Sequence, residues 1–284
     1  MGSDALRIES HEGAGGGVTG ALKLKVRSPD LGKEFLVKWK EAPRRLESWN
    51  NSPRRELASY ETQKLFLDPD DFVVPPSVMR CIPLEDYRAA IDASHSPTLA
   101  GSNCVLGNVS LWLQNVTVPD TLYDKTRFAT DPNYAARMAD FNLFAYIIDH
   151  KDGRRGNFLV SKDDADRRVF AVDNGITFDA LIWNYFVRNW NDIRVPALRK
   201  KSVDRLRNVR RDQVEPLAVV AELHLDEHGV FEPVEHGPPL TMKEGARRRE
   251  GVVQLGLMDD EVEDILEHIQ EIIEAVDEGK IPVF

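Results

Sequence analysis

The stretch Asp149-His150-Lys151-Asp152-Gly153-Arg154-Arg155-Gly156-Asn157-Phe158-Leu159-Val160 is followed, after a short connection, by Phe170-Ala171-Val172-Asp173-Asn174-Gly175. Asp152 and Asn157 stand in a D-x-x-x-x-N spacing, and an apolar strand delivers Asp173 just ahead of a glycine. These residue types suit transfer of a phosphoryl group to a hydroxyl. One carboxylate orients the attacking hydroxyl and accepts its proton, while a carboxamide and a second carboxylate hold the Mg²⁺ that neutralises charge on the phosphates. Oxygen ligands suit that hard cation. The competing reading is a pair of turns, since Asp, Gly and Asn also build hairpin connections, and Asp173-Asn174-Gly175 alone reads that way. An amphipathic helix entering the loop and strands leaving it tip the balance toward a site.

Phe144-Ala-Tyr-Ile-Ile-Asp-His-Lys-Asp-Gly-Arg-Arg-Gly-Asn-Phe-Leu-Val160 resembles the catalytic loop of the atypical kinase group that contains phosphatidylinositol kinases, HipA-type kinases and secretory-pathway protein kinases. In that group the loop runs Asn-x-Asp-Arg-His-x-x-Asn and the metal strand ends in Ile-Asp-Asn-Gly or a close variant. Asp152, Asn157 and Asp173 match. Gly153 stands where the group has Arg, and Arg154 where it has His, so those two roles are not carried over. The resemblance implies an α+β, two-lobed kinase-like fold: a tail at 1–19, a small β-rich N-lobe over 20–115 and a larger helical C-lobe over 116–284. It implies ATP with Mg²⁺ or Mn²⁺, metal held by Asn157 and Asp173, and Asp152 orienting the acceptor.

Upstream, residues 11–26 place glycines ahead of an alternating strand, and Gly15, Gly16 and Gly17 are candidates for a loop covering the phosphates. A flexible linker is the alternative. The next strand, Glu34-Phe-Leu-Val-Lys-Trp-Lys40, offers Lys38 as the phosphate-contacting lysine. Lys40 is the alternative, on the same face at a period of two. Ser52-Pro53 opens a helix, with Ser as cap and Pro in its first turn. The segment from Arg55 to Leu67, leading into Val73-Val-Pro-Pro76, is similar to the N-lobe helix of the same group, whose first glutamate pairs the strand lysine: here Glu56 with Lys38. Glu61 is the substitute, although five residues turn a helix by about 140° onto another face. Val109-Ser-Leu-Trp-Leu-Gln-Asn115 takes the place of the strand entering the hinge, which puts adenine near Leu111, Trp112 and Leu113.

Asp131-Pro132 caps a helix whose Tyr134, Met138, Phe141, Phe144, Ile147 and Ile148 fall at helical spacing. Its apolar face is core, and it carries the chain to Asp152. Between 188 and 211 lie nine Lys or Arg against two Asp, either a solvated basic face or an acceptor-binding surface that favours acidic sequence. The last stretch predicts two helices, one opened by the pair Thr241 and Glu244, the other by Asp259 or Asp260 with an apolar stripe from Val262 to Val276. His150, His224, His228, His236 and His268 read as surface residues without metal-ligand spacing.

The chain of 284 residues, 42% hydrophobic and 30% charged, is long enough for one cleft between two lobes. It has no apolar run of about 18 residues that could span a bilayer. Its first residues lack the basic flank and apolar core of a secretory signal. Cys81 and Cys104, too few for a disulfide framework or a four-ligand zinc site, read as reduced core thiols. A cytoplasmic protein follows from these points. The net charge of −10 argues against general nucleic-acid binding. The activity expected is ATP- and Mg²⁺-dependent phosphorylation of a protein Ser or Thr, or autophosphorylation. A lipid or small-molecule kinase, a pseudokinase scaffold, and a nucleotidyl transferase on the same fold are the alternatives.

Overall fold

The structure is a computed structural model that describes residues 7–15, 20–29, 31–163, 165–178 and 190–284. In chain order its elements are β1 (Arg7–Gly13), β2 (Leu22–Ser28), β3 (Lys33–Glu41), α1 (Pro53–Thr62), β4 (Ser77–Pro83), α2 (Leu84–Ala90), β5 (Cys104–Leu111), β6 (Val116–Thr117), α3 (Lys125–Thr130) and α4 (Pro132–Ile147). There follow β7 (Phe158–Ser161), β8 (Val169–Ala171), α5 (Lys200–Leu206), α6 (Arg211–Val214), β9 (Ala221–Leu225), β10 (Phe231–Pro233), β11 (Ala246–Arg249), β12 (Val252–Leu255) and α7 (Asp259–Asp277). The chain is mixed α+β and divides into two compact units. One takes in Met1–Leu57, Pro76–Trp112 and Ala218–Leu257; the other takes in Ala58–Pro75, Leu113–Leu217 and Met258–Phe284. Residues 58–75 thus group with 113–217 and 258–284, and residues 218–257 group with 1–57 and 76–112.

In the first unit an antiparallel sheet runs in the order β1-β2-β3-β5-β4. Alternation along its strands gives two unlike faces. Leu24, Val26, Val37, Trp39, Val105 and Val109 point to one face, where Leu84 and Tyr87 of α2 cover them. Gly107 is required there: a Cβ at that position would come within 2.5 Å of the Trp39 ring. The opposite face carries Lys38 and Lys40 of β3, in register with Ser110 and Asn108 of β5, which in turn face Ser77 and Met79 of β4. Residues 7–13, expected as tail, form β1 against β2, with Ala14 N–H donating to Ala21 O at 3.0 Å across the glycine-rich connection.

Two further expectations are corrected in this unit. Cys81 and Cys104 are not free thiols but a disulfide, with Cα atoms 5.5 Å apart. Cys81 lies opposite Leu106 and Cys104 opposite Pro83 on paired strands, so the two cysteines are diagonal neighbours on one face. Disulfides persist mainly in oxidising compartments, which removes the cysteine argument for a cytoplasmic location. No helix begins at Thr241. Ala246–Arg249 and Val252–Leu255 form a hairpin, and its two turn residues, Glu250 and Gly251, have φ of 37° and 80°, the signature of a primed turn. The three arginines on β11 suggest solvent-facing helix, but cross-strand pairing in the sheet β10-β9-β12-β11 decides the local structure.

The second unit is built on α4. Asp131 accepts from Tyr134 N–H at 3.0 Å as cap, Pro132 occupies the first turn, and Met138, Phe141, Phe144 and Ile147 are buried as their spacing predicts. The acidic helix α7 turns Val262, Ile265, Ile269 and Ile272 into the core and leaves its glutamates largely in water. A small sheet, β6-β7-β8, completes the unit. Among the described residues no helix is long and apolar enough to cross a membrane.

Candidate functional site

In the first unit Glu56 meets Lys40, not Lys38. The Lys40 ammonium donates to Glu56 Oε1 at 3.3 Å, and both side chains are nearly excluded from solvent, at 2% and 6% exposure. Strand parity leaves both lysines on one face, and position along β3 decides between them. Lys40 sits at the strand's end, whereas Lys38 is in register with Lys23 of β2 and is half-buried. Glu61 pairs with Lys64 a turn on, at 2.6 Å. Around Lys40 the sheet face is polar and buried: Ser77 and Ser110 hydroxyls lie 2.8 Å apart, and Asn108 Nδ2 donates to Ser110 Oγ at 3.2 Å. Of the residues expected against adenine, Leu111 donates its amide to Pro76 O and Trp112 its amide to Leu36 O, both at 2.9 Å, so those two donors are committed within the sheet. Leu113 belongs to the other unit. Gly15 has φ +75° with open space where a Cβ would stand, while Gly16 and Gly17 lie outside the described residues.

In the second unit the loop is set by how α4 ends. Asp149 takes a left-handed φ of 47°, its amide donates to Tyr146 O at 3.0 Å, and the amide of His150 reaches back to Ala145 O at 2.9 Å. That is the Schellman pattern, filled by an Asp where glycine is usual. Its effect is to fold residue 150 back against the core. His150 is therefore fully buried, with its ring 5.3 Å from that of Phe158, which corrects the surface reading. Among the described residues neither ring nitrogen has a hydrogen-bond partner, and burial lowers its pKa below the ordinary 6.5 despite the nearby charges of Asp152, Asp173 and Asp149.

Backbone bonds then bring the three expected site residues together. Asn157 Nδ2 donates to the Asp152 carbonyl at 3.1 Å, and Val172 N–H donates to Asn157 O at 2.8 Å. Lys151 N–H donates to Ile176 O at 3.0 Å, bracketing the loop from the other side. The strand delivering Asp173 is itself held: Gln63 accepts from the amides of Val73 and Val74 through Oε1, and Val73 O accepts from Ala171 N–H at 3.0 Å. Asp173 sits at φ +72°. A non-glycine residue there is sparsely populated, costs on the order of 1–3 kcal/mol, and clusters at functional positions. Because the Asn157 amide nitrogen is used on Asp152, its Oδ1 is the end left to serve as ligand. One carboxylate with one carboxamide oxygen suits Mg²⁺, which takes one or two carboxylates and completes its shell with phosphate and water. Among the described residues no group of three or more His, Cys, Asp or Glu side chains gathers as a metal site, and the Asn157–Asp173 set is not of that kind.

Sequence reasoning missed two cations here. Arg154 grips Asp152 with both oxygens engaged, Nε to Oδ1 at 2.8 Å and Nη2 to Oδ2 at 2.7 Å. Lys151, buried beside the same loop, pairs with Asp149 at 2.7 Å, and Asp149 also accepts from Asn191 at 2.9 Å. The signal for Arg154 was its spacing from Asp152; the fork itself depends on a loop conformation no periodicity announces. The basic run 199–211 is matched inside the chain. Arg199 bonds Asp71 and the buried Asp140, Lys200 bonds Asp204, and Lys201 and Arg205 bond Asp68. Arg207 pairs with Asp277, Arg210 with Asp212 and Arg211 with Glu263. This run is a set of internal ion pairs, which weakens the expectation of an acidic acceptor drawn from it. The chain matches no family model and no curated protein.

Proposed function

We propose that the chain is an ATP- and Mg²⁺-dependent kinase of two-lobed fold that transfers the γ-phosphoryl group to a hydroxyl, on a protein Ser or Thr or on itself. The observation that carries the proposal is the convergence of Asp152, Asn157 and a left-handed Asp173 on one hydrogen-bonded loop. The β1-β2-β3-β5-β4 sheet, with a helix between β3 and β4 and a buried Lys40–Glu56 pair, supports it independently. In this reading Asp152 orients the acceptor hydroxyl and takes its proton, Lys40 held by Glu56 positions phosphates, and Asn157 with Asp173 holds Mg²⁺. When bound, the cation offsets the negative charge of the phosphates.

A second reading has a specific observation behind it. The fork of Arg154 on Asp152 suits a kinase-like scaffold that binds nucleotide without transfer, because both carboxylate oxygens already have a partner. ATP labelled separately on its α- and γ-phosphates, incubated with Mg²⁺ and the protein, separates the cases. Transfer of γ-label to protein, abolished in Asp152→Asn, is the expected result; general-base assistance is worth about 10² to 10⁴ in rate. Transfer of α-label identifies a nucleotidyl transferase, and binding without transfer of either label identifies the scaffold.

A further inference from the structure

The first unit holds a cavity of about 490 Å³, within the range that small-molecule sites occupy. It lies where the core shared by the two sheets meets solvent, between the turn at 99–102 and the turn of the β11–β12 hairpin. The first of these turns is tightly closed. Ser102 donates to Leu99 O through its amide at 3.2 Å and through its hydroxyl at 2.8 Å, and Gly101, at φ +84°, takes the left-handed place that such a turn reserves for glycine. The floor is apolar: Leu99, Phe231 and Val253 are buried, and Leu225 packs against the same cluster.

Strand register sets a cation on the side of that floor. Arg248 stands opposite Val253 and Val253 opposite Leu223, so the three side chains share the face that carries the core. Arg247 and Arg249 have the other parity. Arg247 is enclosed and committed to structure, donating to Ala218 O and, at 2.8 Å, to Leu257 O. Arg248 is exposed, and among the described residues its guanidinium has no carboxylate partner. Glu250 also stands on the rim, which as a whole carries two arginines against one glutamate.

We propose that this cavity binds a small carboxylic acid with an apolar tail, the tail laid on Leu225, Phe231 and Val253 and the carboxylate held by the Arg248 guanidinium. Each part of the site asks for one part of that ligand. The floor has no polar side chain to satisfy a polar tail, and burying a polar group without a partner is costly. The guanidinium offers two parallel N–H groups, which match the two oxygens of a carboxylate. None of the residues lining the cavity is among those proposed for phosphoryl transfer, so the inference stands apart from the kinase reading.

The test titrates the full chain calorimetrically with butanoate, hexanoate and octanoate in the absence of nucleotide, with octanol as the uncharged control. Binding should saturate and tighten by up to about four-fold for each CH₂ laid on the floor. Octanol should bind at least about ten-fold more weakly than octanoate, because it lacks the charged hydrogen bonds. Arg248→Gln should weaken octanoate by at least about ten-fold for the same reason and bring it level with octanol. Arg249→Gln removes the same net charge from the other face and should change the affinity by less than about two-fold, since exposed charges act weakly through water. Arg248→Lys keeps the charge and loses the planar fork, so it should weaken octanoate by at least about three-fold, and it carries the test should Arg248→Gln fail to fold. Three results would each overturn the inference: no saturable binding of octanoate, octanol bound as tightly as octanoate, or position 248 variants that behave like Arg249→Gln. The last would mean that Arg248 only lays its stem over the apolar rim and keeps its charge in water.

Discussion

The Lys40–Glu56 pair of the first unit and the Arg154–Asp152 pair of the second unit both set a cation against a desolvated carboxylate, and they are finished differently. Lys40 and Glu56 are both enclosed and meet at 3.3 Å. Arg154 and Asp152 meet through two contacts near 2.8 and 2.7 Å, with the carboxylate enclosed and the cation half in water. Taking two charges out of water is repaid only when each is well partnered, so a fully enclosed pair behaves as a fixed structural charge. A pair with one member at the surface can exchange contacts with what arrives. On the proposed kinase reading, the first would hold a phosphate-facing lysine in one rotamer, and the second would stand at the proposed acceptor-orienting carboxylate.

The comparison breaks most decisively at Asp173, the residue proposed to hold Mg²⁺ in the second unit. Asp173→Asn keeps the size of the side chain and tolerates the left-handed backbone, so the fold should survive. What should disappear is stabilisation by Mg-ATP, about 2.7 kcal/mol at a ligand concentration 100 times the dissociation constant. Thermal unfolding with and without Mg-ATP measures it. An undiminished shift in the variant would show that Asp173 holds no metal.

Next in size is the lysine choice. Lys40→Ala leaves Glu56 enclosed without this cation, and breaking a buried pair from one side costs about 3–5 kcal/mol. Lys38 is half-buried on the same face, and Lys38→Ala should change stability by less than about 0.5 kcal/mol. Urea unfolding of the two variants, followed by ATP use, ranks them on both counts. Equal effects would remove the distinction between a locked lysine and a solvated one.

These two regions were also unequally legible. Ser52-Pro53, Asp131-Pro132 and the apolar stripes of α4 and α7 announce helices because capping and 3.6-residue spacing are local properties of the chain. The convergence of residues 152, 157 and 173 was readable from spacing for the same reason. The choice between Lys38 and Lys40 was not, since a period of two cannot say which of two residues on one face lies opposite a helix that starts a dozen residues later. Nor was the hairpin at 246–255, where three consecutive arginines mask the strand and only Glu250-Gly251 marks the turn. The cysteine pairing depended on strand register between β4 and β5, a long-range fact absent from any local window. His150 was misread because its burial follows from a left-handed Asp149, and Asp gives a weaker stop signal than glycine.

The smallest expected effect concerns that histidine, which separates the second unit's interior from its charged rim. Burial holds the His150 ring neutral, lowering its pKa, while Asp152, Asp173 and Asp149 push the other way and do not prevail. In the unfolded chain the ring regains an ordinary value near 6.5. Below that pH the unfolded state therefore binds a proton that the folded state refuses, so stability is fully present above about 6.5 and is lost as pH falls, by about 1.4 kcal/mol for each unit until the folded value is reached. Other groups titrate over the same range, and the informative quantity is the difference between the parent and His150→Leu, in which the ring is replaced by a side chain with no proton to gain. Urea midpoints at pH 7.5 and 5.5 should show the parent losing more stability than the variant. Parallel losses would mean that the ring takes up its proton at the same pH in the fold as in the unfolded chain, the neighbouring aspartates cancelling its burial, and a smaller loss in the parent than in the variant would mean that the ring is already protonated in the fold.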